Sequence, residues 1–251
     1  MKLGMIQGRL LRPEDGGMQE FPVCWEEEFD KANKLGLNHI EWIVTSRSFS
    51  YNPIFSRDCS GFSISSLCAD NLVDDRFLDD RFLNENLDPI CKAALDNKVM
   101  WITIPLLENS SISDPEKRKI FKEKILIYGD KYQNLNFSFE AETTAENALD
   151  IAKERDNFWL TYDTGNITSE RIEHKDYITK TQEKISNVHL KDRKKMWLFF
   201  NFGCISRYKY SKKESINIII MLANKATKVE LNAIPRLSVI GPILPATAIS
   251  A

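Results

Sequence analysis

The feature that most limits the fold is an alternation of short apolar runs with helix-patterned stretches, seven times over between Leu3 and Leu190. Runs with strand character are Leu3 to Ile6, His39 to Val44, Phe62 to Ala69, Val99 to Ile104 closed by Pro105, Asn136 to Glu140, Phe158 to Tyr162 and Ile185 to Leu190. A helix starting at Trp25 sets Phe29, Ala32 and Leu35 at helical spacing, with Glu26 to Glu28 in its first turn and Gly36 at its stop. Further helices are expected over Asp79 to Asn97, Asp114 to Tyr132, Ala145 to Arg155 and Ser169 to Thr181. Such alternation calls for a parallel sheet with helical crossovers. Seven units without a break in composition favour one closed α/β barrel, which typically takes about 250 residues, over two small open sheets. The competing open sheet would bind ligand at a switch in strand order, but no Gly-x-Gly-x-x-Gly follows the first strand, so dinucleotide binding loses its main support.

Composition narrows the partners. A net charge of −2 over 251 residues gives no electrostatic reason to expect nucleic acid or an acidic membrane. The five cysteines are scattered without a Cys-x-x-Cys pair, which argues against a disulfide framework or a cysteine zinc site and for a reducing cytoplasm. No apolar run reaches the roughly 18 residues needed to span a bilayer, and Lys2 to Ile6 reads as a strand rather than a signal segment.

Active sites of α/β barrels lie at the C-terminal ends of the strands, so polar residues there form the candidate set. They are Gln7 and Arg9, Glu41, Asp70, Glu108, Glu140 and Glu142, Asp163 and Asn166, and His189 with Lys191, Asp192 and Arg193. Glu140, Asp163 and His189 end consecutive strands and are positioned to converge on one ion. Two carboxylates with one imidazole suit Mn²⁺, Mg²⁺, Co²⁺ or Zn²⁺, and such an ion stabilises an enediolate or a shifting hydride. Asp163 to Asn166 also reads as an Asx-type turn into the next helix. Lys191 and Arg193 are candidate anchors for a phosphate or carboxylate, or solvated loop charges. His39 and His174 read as structural or surface residues, and Trp42 as a core residue close enough to a strand end to line a sugar site.

The chain resembles the sugar phosphate isomerase/epimerase group of the xylose isomerase-like TIM-barrel superfamily. The resemblance covers about residues 1 to 193 and rests on an ordered series of short motifs. These are Gln7-Gly8-Arg9-Leu10, Gln19-Glu20-Phe21-Pro22, Trp25-Glu26-Glu27-Glu28-Phe29, Ile40-Glu41-Trp42-Ile43, Cys68-Ala69-Asp70, Ile104-Pro105-Leu106-Leu107-Glu108, Phe137-Ser138-Phe139-Glu140, Tyr162-Asp163-Thr164-Gly165-Asn166 and Val188-His189-Leu190-Lys191-Asp192-Arg193. It implies a (β/α)8 TIM barrel, metal ligation by Glu140, Asp163 and His189, and an acid/base role for Glu140. It further implies a sugar or sugar phosphate bound by Gln7, Arg9, Asp70, Glu108, Asn166, Lys191 and Arg193, with a homo-oligomer left open. The superfamily's endonuclease branch is the distant competitor, but its three-zinc cluster needs many histidines and this chain has three. In tagatose epimerase-like relatives a glutamate ending strand eight is the fourth ligand and the opposite acid/base, and no counterpart is evident here.

After Arg193 the pattern stops. Residues 194 to 251 carry nine basic residues against Glu214 and Glu230, a charge of +7 where the preceding 193 residues carry −9. Strand eight is expected near Ile216 to Leu222, with no carboxylate at its end, so the eighth βα unit reads as divergent or missing. Residues 1 to 193 are thus expected as the barrel's seven units and 194 to 251 as a divergent closing segment. One account is a genuine but divergent unit, with solvent or substrate completing the metal shell; another is a frameshift or gene fusion replacing the native unit. The other reading frames downstream of codon 193 decide between them: a frameshift predicts that one encodes a strand-eight segment, and its absence from both refutes that account. A third reading is a sugar-binding or scaffold barrel that has lost turnover.

Overall fold

The computed structural model describes residues 2–11, 24–191 and, as backbone strand only, 236–240. Among them are β1 (Leu3–Ile6), α1 (Trp25–Lys34), β2 (His39–Ile43), β3 (Ile64–Cys68), α2 (Asp80–Asp96), β4 (Trp101–Leu106), α3 (Pro115–Lys131) and β5 (Asn136–Ala141). They are followed by α4 (Ala145–Ala152), β6 (Phe158–Asp163), α5 (Thr164–Ser169), α6 (His174–Thr181), β7 (Ile185–Lys191) and β8 (Arg236–Ile240). Each strand pairs in parallel with the next, and β8 pairs with both β7 and β1, so the sheet closes in sequence order. The architecture is the expected (β/α)8 barrel. Its closing strand is Arg236–Ile240 rather than the expected Ile216 to Leu222, which lie outside the described residues.

Local chemistry explains most of the boundaries. Asp79, Asp114 and Thr144 accept backbone N–H groups as N-caps of α2, α3 and α4. The crossover helices bury their apolar stripes on the outside of the barrel, where Trp25 and Phe29 of α1 meet Trp42 and Phe62 with ring centroids 4.7 to 6.2 Å apart. Trp42 therefore points away from the barrel mouth, its Nε1 donating to Asn52 Oδ1 at 2.9 Å, and does not line the site. His39 is buried at the opposite end of β2, its ring so close to Gly4 that a Cβ there would lie 2.1 Å from it.

Several expected boundaries move, two of them for a local reason. β4 runs through Pro105 to Leu106. Residues 103 and 105 turn their backbone polar groups toward β3, since Thr103 O accepts from Ala69 N, and the β3 ladder ends at Thr103. The N–H that proline lacks is thus one that β3 does not use. The helix expected over Ser169 to Thr181 starts only at His174 as α6, with the shorter α5 before it, because Arg171 takes a φ of 58° and Glu173 caps α6 by accepting from Lys175 N and Asp176 N.

Barrel closure through β8 makes a direct prediction. Val239→Pro removes a donor from a strand flanked on both sides, and should destabilise the protein by about 3 kcal/mol in urea unfolding. An unchanged midpoint would show that Arg236–Ile240 does not close the sheet.

Candidate functional site

Every strand-end carboxylate of the expected metal set is buried at the C-terminal mouth. Glu140 is 5% exposed, Asp163 2% and His189 0%, and one ligand atom from each lies within 4.8 Å of the others. Adjacent parallel strands produce this convergence: Asp163 pairs in register with His189 across β6 and β7, and Glu140 ends neighbouring β5. His189 Nδ1 lies 3.1 Å from Glu140 Oε2 and 3.9 Å from Asp163 Oδ2. Asp163 takes the expected turn role with one oxygen and keeps the other unengaged. Its Oδ1 accepts from Asn166 N at 2.7 Å as the N-cap of α5, while its Oδ2 is buried without a hydrogen-bond partner.

That orphaned oxygen, beside a second carboxylate and an imidazole nitrogen, is what a hard divalent ion requires. Donors about 2.1 Å from a common ion stand up to roughly 4.2 Å apart, close to the observed spread. The three residues therefore fit an ion.

The electrostatics follow from burial. Burial opposes charge on His189, but the carboxylates of Glu41 and Glu140 outweigh it and push its pKa well above the ordinary range. Burial works to raise Glu140, yet His189 holds it below its usual value. Asp163, which burial and Glu140 both push toward the neutral form, rises to about 6.

Glu140 opens onto a cavity of about 40 Å³ lined also by Ile6, Arg9, Ile43, Cys68, Asp70, Pro105, Leu107 and Lys191. Of the expected substrate contacts it brings together Arg9, Asp70 and Lys191. Lys191 Nζ stands 3.8 Å from Asp163 Oδ2, and Arg9 Nη1 is buried without a hydrogen-bond partner. Asn166 is drawn inward instead: its Nδ2 donates to Glu140 Oε1 at 2.7 Å, so it holds the carboxylate. Gln7 is fully buried, its Oε1 accepting from Ile43 N at 3.1 Å and its Nε2 unpartnered. Glu108 is exposed at the rim, where its N–H donates to Glu142 Oε2 at 3.3 Å. Asp192 and Arg193 lie outside the described residues. His174 sits away from the mouth, between Tyr162 Oη at 2.6 Å and Thr168 Oγ1 at 3.0 Å.

Two buried glutamates complete the arrangement, and neither belongs to the expected ligand or substrate sets. Glu28 of α1 accepts from Gly8 N and Leu10 N, both at 3.0 Å, and so clamps the loop that carries Arg9, with Gly8 at a φ of 81°. Its signal was available: Glu28 falls between Trp25, Phe29 and Ala32 on the helix's buried stripe. Glu41 of β2 is fully buried, its Oε1 accepting from Thr103 Oγ1 at 2.5 Å and its Oε2 lying 2.8 Å from His189 Nε2. A glutamate inside an apolar strand was the signal there.

Comparison with solved structures identifies the architecture. The 3-keto-D-glucoside 4-epimerase of E. coli superposes with a TM-score of 0.62 at 15% identity, covering 99% of this chain and 95% of its own. The D-psicose 3-epimerase of Clostridium cellulolyticum, solved with D-tagatose, gives 0.63 at 14% identity, covering 97% and 86%. A xylose isomerase-like TIM barrel protein of Mycobacterium smegmatis, solved with magnesium, gives 0.57 at 17% identity, covering 95% and 89%. The chain shares the TIM-barrel fold of these proteins. No protein-family model matches the sequence, and no curated protein matches it. No helix among the described residues is long and apolar enough to cross a membrane.

Burial raises the pKa of Asp70 from its ordinary 3.8 to about 6, with Glu140 adding to the rise and Arg9 opposing it. The folded state therefore holds this proton more tightly than the unfolded chain, and stability is lost as pH rises from about 4 through about 6. Asp70→Asn should stabilise the metal-free protein at pH 8 by on the order of 1–3 kcal/mol and give no gain at pH 4, read from unfolding curves.

Proposed function

We propose that this barrel is a divalent-metal-dependent isomerase or epimerase acting on a sugar or sugar phosphate. The observation that carries the proposal is the convergence of Glu140, Asp163 and His189 within 4.8 Å at the mouth of the barrel. These three side chains would hold the ion. When bound, it supplies Lewis-acid polarisation of a substrate carbonyl or hydroxyl oxygen.

The chain's own residues do the rest. Glu140 is the acid/base group: its carboxylate lines the cavity and takes a proton from the carbon next to a carbonyl, then returns it to a neighbouring atom on the same face. Return by Glu140 to the neighbouring carbon gives aldose–ketose exchange through an enediolate, whereas epimerisation requires a second acid to return a proton to the opposite face of the same carbon. A hydride shift is the alternative route to the same exchange. Asn166 Nδ2, at 2.7 Å from Glu140 Oε1, holds that carboxylate in place. Arg9, Asp70 and Lys191 bind the substrate's hydroxyl, carboxylate or phosphate groups from the cavity wall, with Gln7, Glu108 and Arg193 as further contacts.

A second reading has its own observation. The backbone of Arg236–Ile240 closes the barrel, and that pentapeptide carries no carboxylate to serve as fourth ligand and opposite acid/base. A barrel lacking that group binds sugar without turning it over.

Metal analysis together with a ketose interconversion screen separates the two. The enzyme reading expects Mn²⁺ uptake and interconversion, with Glu140→Gln lowering kcat by about 10²- to 10⁴-fold while sugar binding persists. Sugar binding without turnover in the unmutated protein supports the binding module. Because a protonated Asp163 is a poor ligand, Mn²⁺ affinity should fall as pH is lowered through about 6.

A further inference from the structure

Glu41 and His189 are separated by 148 residues in sequence, stand on β2 and β7, and meet inside the barrel with neither side chain exposed to solvent. A carboxylate there needs donors, because an ionised group without them bears a heavy desolvation cost. Thr103 Oγ1 donates to Oε1 at 2.5 Å from β4, and Asn187 Nδ2 donates to Oε2 at 3.4 Å from β7. Asn187 Oδ1 is committed to Val188 N at 2.9 Å, and its Nδ2 stands 3.0 Å from His189 Nε2, so with Nε2 protonated the two nitrogens share Glu41 Oε2 as their acceptor.

Glu41 Oε2 also lies 2.8 Å from His189 Nε2, while Glu140 Oε2 lies 3.1 Å from Nδ1, so each ring nitrogen faces a carboxylate oxygen. An ion held between Glu140 and Asp163 would take the lone pair of Nδ1, which leaves Nε2 to carry the proton that Glu41 accepts. A protonated Nε2 completes the donor set. The other nitrogen, Nδ1, is the one that faces Glu140 Oε2 and Asp163 Oδ2.

We infer that Glu41 is a positioning residue for His189: it keeps the proton on Nε2, fixes the plane of the ring, and so presents Nδ1 as the ligand atom beside Glu140 and Asp163. The inference rests on the metal reading given under Proposed function, and adds to it the ligating atom and the residue that selects it. A histidine that binds metal through one nitrogen commonly has the other fixed by a carboxylate, and losing that partner commonly costs about 10- to 100-fold in metal affinity. Here the partner comes from across the barrel, so the orientation of the ring depends on closure of the sheet rather than on its own strand.

The test uses the full chain, ¹⁵N-labelled, with Zn²⁺ as the diamagnetic probe for long-range imidazole correlations and Mn²⁺ for calorimetry. In the unmutated protein the Nε2 proton of His189 should be seen downfield and slow to exchange, and should persist when Zn²⁺ shifts Nδ1. Glu41→Ala should weaken Mn²⁺ binding by about 10- to 100-fold, and Glu41→Gln, which keeps an acceptor oxygen, should recover most of it. A merely structural Glu41 predicts a lower melting temperature with Mn²⁺ affinity unchanged in the folded fraction, and that result overturns the inference. So does Zn²⁺ bound to Nε2, a reading that the unmutated protein supplies even if Glu41→Ala does not fold. If the unmutated protein takes up neither metal, the metal reading itself falls. In that case an Nε2 proton that survives Glu41→Gln with unchanged shift and exchange also removes the positioning role, whereas its loss keeps the contact with Glu41.

Discussion

Charge buried at one end of a closed parallel sheet is the constraint on which the rest of the site depends. Glu28, Glu41, Glu140 and Asp163 are all within 5% of complete burial, far from the usual place of a carboxylate. Each is held by specific donors: backbone N–H groups of the first loop for Glu28, Thr103 and His189 for Glu41, Asn166 and His189 for Glu140, and the first turn of α5 for Asp163. His189 is common to two of them. With Glu41 on one nitrogen and Glu140 on the other, its ring bridges opposite sides of the barrel.

The barrel makes this arrangement affordable by sharing elements between packing and chemistry. The turn that starts α5 uses Asp163 Oδ1 as a cap and leaves Oδ2 open toward the mouth, and Asn166, two residues into that helix, reaches Glu140. The loop after β1 is similarly tied by Glu28, so that Arg9 is carried over the cavity by a helix whose other buried residues are apolar. Cavity-facing groups thus stand on anchored supports, which limits the reorganisation needed when a polar ligand enters.

Much of this was legible before any coordinates. Strand and helix alternation led to the barrel, and the rule that chemistry sits at C-terminal strand ends selected Glu140, Asp163 and His189, which the fold does bring together. Other expectations moved for local reasons. Pro105 lies within β4 because the edge it fails to serve is already unpaired, and the last expected helix starts only after Arg171. Trp42 turned outward because strand residues alternate, and its neighbour Glu41 took the inward place.

By itself the sequence determined the order of elements, the faces of α1 and the short set of polar strand ends, since these depend on spacing along the chain. Only the tertiary structure decided that β8 is Arg236–Ile240, that Glu28 clamps the Arg9 loop, and that Glu41 meets His189. Each of those is a contact between distant segments whose geometry is set by strand register and barrel closure. Periodicity identifies which residues face inward, but closure decides which of them touch.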